Sequence, residues 1–236
     1  MTALAFHNDP ALAETVRRQV QAHYAADEIV QGRYWQNGKG CFIGCIAHSS
    51  DTGTVEQLTG FPVMLTRIAE NIFEGLDAAD SKDFLPAVIA APRIGADLSL
   101  VAWKFLHWCI TDALDRFGDD KVRAGCAAAV EVVAEMARGE KVDADAAADA
   151  ARAAADAAAR AAADAAADAA ADAAADAAYA AALTAADAAR AAAYAAADAA
   201  YAAYAAADAA YAAYAARAAA RKKQAAKLIQ LLSEAV

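Results

Sequence analysis

Beyond Gly139 the chain has no glycine, and beyond Pro92 it has no proline, so everything after residue 139 lacks both common helix breakers. Aromatic residues are scarce as well, 8% of 236 residues, although 60% count as hydrophobic. The apolar excess is therefore not that of a uniform globular core. Cysteine is confined to Cys41, Cys45, Cys109 and Cys126, too few to form a disulfide scaffold in a chain of this size, and free thiols are expected. A basic excess is missing too. The 21 Lys and Arg stand against 31 Asp and Glu, a net charge of −10. The deficit is spread along the chain, with 12 basic against 18 acidic residues through Gly139 and 9 against 13 after it. Proteins held on phosphates by counterion release show the opposite balance, so nucleic acid is not an expected partner.

Long apolar runs are also lacking. In the Ala-rich tract the longest charge-free run is the ten residues 177–186, short of the roughly 18 apolar residues that a spanning helix requires. No membrane association is expected. The opening residues, Met1 to Pro10, show no basic segment followed by an apolar one. No secretory signal is expected from them, and a cytoplasmic location follows as the expectation.

What the chain has in quantity is alanine, concentrated in one place. Of the 77 residues in 144–220, 55 are Ala, and the rest are nearly all Asp, Arg or Tyr. Alanine has the highest helix propensity, and over this length the preference is decisive. Acidic residues crowd the first half, and Arg217, Arg221, Lys222, Lys223 and Lys227 gather at the end, which complements the helix macrodipole. Residues 140–236 are thus expected to form a very long helix, a single rod of about 140 Å or a helical hairpin.

Spacing within the tract divides it again. From Asp145 to Asp176 the polar positions advance 31 residues in eight steps, a period longer than that of an ideal helix. From Tyr194 to Tyr214 the non-Ala positions advance 20 residues in six steps, a shorter period. One uniform coiled coil does not satisfy both halves, so two contact surfaces are expected. The tail ends in Leu228, Ile229, Leu231 and Leu232, a small apolar anchor.

Residues 1–139 are expected to form a helical globular domain, making the chain all-α. Asp9 and Pro10 supply an N-cap and a first-turn proline. Leu12, Val16, Val20 and Val30 continue at helical spacing. Gly60, Phe61 and Pro62 open a helix that ends near Gly75. A short helix over 81–91 has Pro86 near its first turn. Residues 97–117 are apolar around most of a helix, predicting a buried central one. A further helix, capped by Asp119 or Asp120, stops at Gly139. No period-2 run appears.

Three stretches carry a resemblance. Gln31 and Gly32 followed by Trp35-Gln36-Asn37-Gly38-Lys39-Gly40-Cys41-Phe42-Ile43-Gly44-Cys45 form the first. Phe61-Pro62 with Arg67-Ile68-Ala69-Glu70-Asn71-Ile72-Phe73-Glu74-Gly75-Leu76, and Gly95-Ala96-Asp97-Leu98, form the others. With the Ala/Asp/Tyr tail, the chain resembles an uncharacterised family of bacterial and phage hypothetical proteins. The resemblance implies this architecture and no catalytic residue.

The segment 37–48 is the best place for chemistry. Gly38, Gly40 and Gly44 allow backbone amides to converge, Lys39 adds charge, and a helix starting near Cys41 would favour an anion. The spacing is not that of a P-loop. The competing account is a tight loop whose glycines allow close packing under Trp35. Cys41, Cys45 and His48 would share one helical face. That face could ligate zinc with a fourth group such as Asp51, although no second ligand cluster appears. Alternatively Cys41 could be a thiolate nucleophile with His48 as base, or both cysteines could be buried small hydrophobes. No cofactor is assigned. His23 and Asp27, one turn apart, read as an oriented imidazole facing the loop or as an internal hydrogen bond.

Two functions follow as expectations. The first is a non-enzymatic interaction protein that self-associates, as a homo-oligomer, through residues 144–220. The alternative is an anion- or nucleotide-binding domain, with Cys-dependent catalysis as a variant, centred on residues 38–48.

Overall fold

The computed structural model describes residues 2–117, 120–142 and 214–236. Of the expected helix over 140–236, residues 140–142 are described and are not helical, 214–234 are helical, and 143–213 lie outside the described residues, as does all of the expected self-association surface before 214. Among the described residues the chain is mostly helical, as expected of an all-α protein. It divides into two compact units, Met1–Ala102 with Ala218–Val236, and Trp103–Arg217. Residues 218–236 therefore belong with the first residues of the chain.

In the first unit, α1 (Pro10–Ala25) starts where expected. The Asp9 carboxylate accepts from the amides of Ala11 and Leu12 at 2.8 and 3.2 Å, two of the donors that a helix start leaves unpaired. Ala13, Val16, Val20 and His23 form its buried face. The helix stops short of Val30, contrary to the expected stripe. Asp27 takes a left-handed conformation with φ +58°, which a short polar side chain tolerates, and the chain turns back. Val30 instead donates from its backbone N–H to the Gly40 carbonyl at 2.9 Å.

The expectation of no strands fails at one small place. Residues Trp35–Gln36 (β1) and Lys39–Gly40 (β2) pair antiparallel around Asn37 and Gly38, both at positive φ. Asn-Gly is the favoured pair for a two-residue hairpin turn, because both positions need left-handed backbone. Two-residue strands are too short to display a period.

The helices α2 (Phe42–Ala47), α3 (Thr52–Thr59), α4 (Val63–Gly75) and α5 (Ala78–Ala90) follow in succession. α1 packs on α5, α2 and α3, and α4 packs on α2, α3 and α5. The core is built from Phe42, Ile46, Leu65, Ile68, Ile72, Phe73 and Leu85, all essentially without exposed surface. Pro86 lies in the interior of α5, because Asp77 caps the helix earlier than expected by accepting from the Asp80 amide at 3.0 Å. The ring sits where an amide would otherwise return to the carbonyl of Lys82.

The last helix, α8 (Tyr214–Glu234), brings Leu228 and Leu232 into full burial in this unit, so the expected anchor exists. Arg221 donates from Nη1 to Asn71 Oδ1 at 3.0 Å, and Lys222 pairs with Asp80 at 2.6 Å. At the chain end, the Val236 carbonyl accepts from the Asp97 amide at 3.0 Å.

The second unit contains most of α6 (Val101–Phe117) and all of α7 (Asp120–Ala137). α6 is one-sided rather than buried all round. Phe105, Leu106, Cys109 and Ile110 are buried, whereas Trp103, His107 and Trp108 are half-buried. α7 ends before Gly139, at φ +77°, as expected of a glycine stop. Among the described residues no helix is long and apolar enough to cross a membrane.

Candidate functional site

The segment 33–48 is held by close backbone packing. A Cβ at Gly44 would overlap the Tyr34 carbonyl oxygen, and one at Gly40 would meet that same oxygen and the Trp35 ring. These glycines therefore do what the packing account requires. The amide of Gly40 donates to the Glu28 carbonyl at 3.0 Å, pinning residues 28–30 beside the hairpin. α2 is thereby fixed at both ends, with Cys41 as its N-cap residue and His48 as its C-cap residue at φ +52°.

At the N-terminal end, Cys41 donates from Sγ to Glu70 Oε1 at 2.9 Å, and the Ile43 amide donates to Glu70 Oε2 at 3.1 Å. The protein's own carboxylate thus occupies the place that the anion account assigned to a ligand. Lys39 reaches away, donating from Nζ to the Asp27 carbonyl at 3.2 Å. Burial, and then the Glu70 carboxylate, pushes the Cys41 thiol up to about 12. The depressed thiolate expected there is not what forms, because its neighbour is a carboxylate rather than Lys39. Burial likewise raises Glu70, reinforced by Glu74 and opposed by the bonds from Cys41 and Ile43. Cys45 is fully buried, donates to the Gly40 carbonyl at 3.1 Å, and is also pushed up to about 12 by burial.

At the C-terminal end the chemistry differs. His23 Nδ1 contacts Glu28 Oε2 at 2.6 Å, and His23 Nε2 contacts His48 Nε2 at 2.9 Å. Trp35 stacks on the His48 ring, with centroids 4.3 Å apart and planes 20° apart. It also meets His23 edge-on. His23 is 9% exposed, Glu28 is half-buried and His48 is exposed. Burial and then the neighbouring His23 hold His48 below the ordinary histidine value, with Glu28 opposing them. Gln19 donates from Nε2 to the carbonyls of Cys45 and Ile46 at 2.7 and 2.9 Å, which satisfies the end of α2.

The expected site residues thus separate. Cys41, Cys45 and His48 do not form one ligand set: Cys41 goes to Glu70, Cys45 to Gly40, and His48 to His23 and Trp35. His23 pairs with Glu28 rather than Asp27, whose carboxylate instead forms an ion pair with Lys82. Asp51 caps α3, accepting from Gly53 and Thr54, and is committed there. Gly38 serves the hairpin turn. Among the described residues one group has cation-holding spacing: Cys41 Sγ and one oxygen each of Glu70 and Glu74, all within 4.8 Å. All three already have protein partners, since Glu74 Oε2 accepts from the Gly32 amide at 2.8 Å. Sequence reasoning missed Glu28 and Glu70. Glu28 directly follows Asp27, and a turn after α1 would have favoured it; the contact to Glu70 has no local signal.

Comparison with family models, curated proteins and solved structures gives no match, so function rests on this geometry alone.

Proposed function

We propose that the protein is an interaction and assembly protein that self-associates through residues 144–220, its folded unit serving as the body from which that stretch is displayed. The observation that supports this best is the return of the chain. Residues 218–236 belong to the same compact unit as residues 1–102, held by Arg221, Lys222, Leu228 and Leu232. A low-complexity appendage without a task needs no such anchor. Methyl side chains permit close helix approach, at the lower end of the roughly 8–10 Å range. Tyrosines at 179, 194, 201, 204, 211 and 214 add contact area where methyls contribute only about 0.8 kcal/mol each.

The alternative, an anion or nucleotide held at 38–48, lacks open donors. Lys39, the Ile43 amide and the Cys41 thiol are all engaged within the protein. A thiol held at about 12 is also a poor nucleophile at neutral pH.

Sedimentation velocity of the full chain across a wide concentration range tests the proposal. Self-association predicts a mass that is a multiple of the chain and falls on dilution or on replacement of Tyr201, Tyr204 and Tyr211 by Ala. A concentration-independent monomer overturns it.

A further inference from the structure

Glu70 and Glu74 stand one turn apart on α4, so their side chains share a face of that helix. Cys41 reaches the same place from the start of α2. Cys41 Sγ and one oxygen of each carboxylate lie within 4.8 Å of one another. Exposure rises across the group, from Cys41 at 1% through half-buried Glu70 to exposed Glu74. The group therefore closes at the thiol and opens to solvent at Glu74.

Each carboxylate is oriented from outside the group. The Ile43 amide donates to Glu70 Oε2 and the Gly32 amide to Glu74 Oε2, at 3.1 and 2.8 Å. The second oxygen of each is left to the group. Glu70 Oε1 accepts from the thiol at 2.9 Å, and Glu74 Oε1 has no hydrogen-bond partner among the described residues. Backbone donors that fix one oxygen of a carboxylate are the kind of outer support that metal sites use.

Charge and burial point the same way. The charged group acting on Cys41 is Glu70, and the one acting on Glu70 is Glu74, both carboxylates. Lys39 is turned away to the Asp27 carbonyl. Charges withdrawn from water are ordinarily paired or bound to a metal, and no side-chain cation among the described residues pairs with Glu70 or Glu74. One turn before Glu70 on the same face, Thr66 is fully buried, and its Oγ1 has no hydrogen-bond partner among the described residues. Helix side chains lean toward the preceding turn, so Glu70 leans over the turn that carries Thr66.

We propose that Cys41, Glu70 and Glu74 form a zinc site, each giving one ligand atom, with water in the fourth position. The site belongs to the folded unit and does not depend on the assembly reading. A thiolate selects zinc over calcium or magnesium, which prefer six or more oxygen ligands. Three protein ligands and one open position are an ordinary zinc arrangement. The fourth ligand is neutral water rather than an anion, because the thiolate and two carboxylates already exceed the charge of the ion. Tetrahedral zinc holds a sulfur and an oxygen ligand about 3.6 Å apart, so the thiol and Glu70 part by about 0.7 Å as the ion replaces the proton between them. The S–H bond breaks, its proton leaves to solvent, the zinc–sulfur bond forms, and nothing is oxidised or reduced.

The test uses the full chain, freed of metal by a chelator. It is titrated with zinc against a chromophoric indicator and, in parallel, with cobalt(II) as a spectroscopic stand-in. One zinc per chain should bind at micromolar concentration with release of a proton, and the cobalt complex should show a near-ultraviolet thiolate-to-cobalt band. Cys41→Ser, which leaves Cys45, Cys109 and Cys126 in place, should abolish that band. Glu74→Gln should weaken zinc at least about tenfold. That residue is exposed, and a Gln oxygen still accepts from the Gly32 amide, so the fold is kept. Circular dichroism identifies a Cys41→Ser chain that fails to fold, in which case Glu74→Gln and the wild-type cobalt band decide. No zinc bound at micromolar concentration, a cobalt complex without the thiolate band, unchanged zinc affinity in Glu74→Gln, or loss of zinc in His48→Asn each overturn the proposal.

Discussion

At one end of α2 a cysteine meets a carboxylate, and at the other a histidine meets a second histidine backed by a carboxylate. The helix is only six residues long, so both ends share one scaffold and one set of packing contacts. At the Cys41 end the residue is 1% exposed, and the carboxylate that accepts from its thiol also accepts from the helix amide. The arrangement is closed: removing the thiol proton would place two negative charges together in a buried site. At the His48 end the outermost ring is exposed, and its Nε2 lies 2.9 Å from His23 Nε2. What separates the ends is less the residue types than the sign of the neighbouring charge. Cys41 has Glu70, of the wrong sign for a thiolate, whereas Glu28 favours the charged form of His48.

The largest expected effect removes both ends together. Gly44→Ala places a methyl into the Tyr34 carbonyl, and backbone cannot swing aside as a side chain can. A loss of about 3 kcal/mol is expected in urea unfolding, at the upper end for overpacking. Gly53→Ala, whose nearest neighbour is Asp51 Oδ1 at 3.3 Å, should change stability by no more than about 1 kcal/mol. Equal losses in the two variants would show that α2 is not pinned as described.

Glu70→Gln separates the ends. It weakens the pair of bonds at Cys41 and should cost about 1–3 kcal/mol while leaving the His48 titration in place. A moved His48 titration would mean that the two ends are coupled.

The pH dependence should also differ in sign. The Cys41 thiol is held near 12 against an ordinary 9.0, so the folded state keeps its proton longer than the unfolded chain. That contribution is fully present below about 9 and is lost as pH rises towards 12. His48 is held below its ordinary 6.5, so the unfolded chain takes up a proton first and stability falls as pH drops through that range. Melting temperatures of wild type, Cys41→Ser and His48→Asn against pH check both signs. Cys41→Ser should shallow only the alkaline limb, which Cys45 shares, and His48→Asn should shallow only the acid limb.

A smaller effect is expected farther along α4. Arg221→Met removes the bond to Asn71 Oδ1 and should cost about 1–2 kcal/mol, read as a lower midpoint in urea unfolding. Neither end of α2 should respond.

How much of this was legible in the sequence follows from the kind of signal involved. Punctuation residues read well. Asp9 with Pro10, Gly60 with Pro62, and Gly139 mark real helix ends, because capping and positive φ are local demands. The end of α1 did not read, because Asp27 rather than glycine supplies the left-handed residue. The apparent one-turn pair of His23 and Asp27 is broken there, and Glu28 takes its place. Asn37-Gly38 was a hairpin signal hidden among glycines that also suggested an anion-binding loop. The segment around Cys41 and His48 stands out in the sequence as a region, but its internal partners do not. Glu70 reaches Cys41 from α4, a contact of packing with no trace in local spacing.

The contrast between the ends is tested most directly by labelling both in one sample. The native full chain is treated at pH 7 with iodoacetamide and with diethyl pyrocarbonate, which acylates neutral imidazole nitrogen, and modification is followed by peptide mass spectrometry. The account predicts that His48 is modified faster than exposed His7, while Cys41 and Cys45 stay unmodified until the chain is unfolded. Native alkylation of Cys41 at the rate of a free thiol, with His48 no faster than His7, would contradict it.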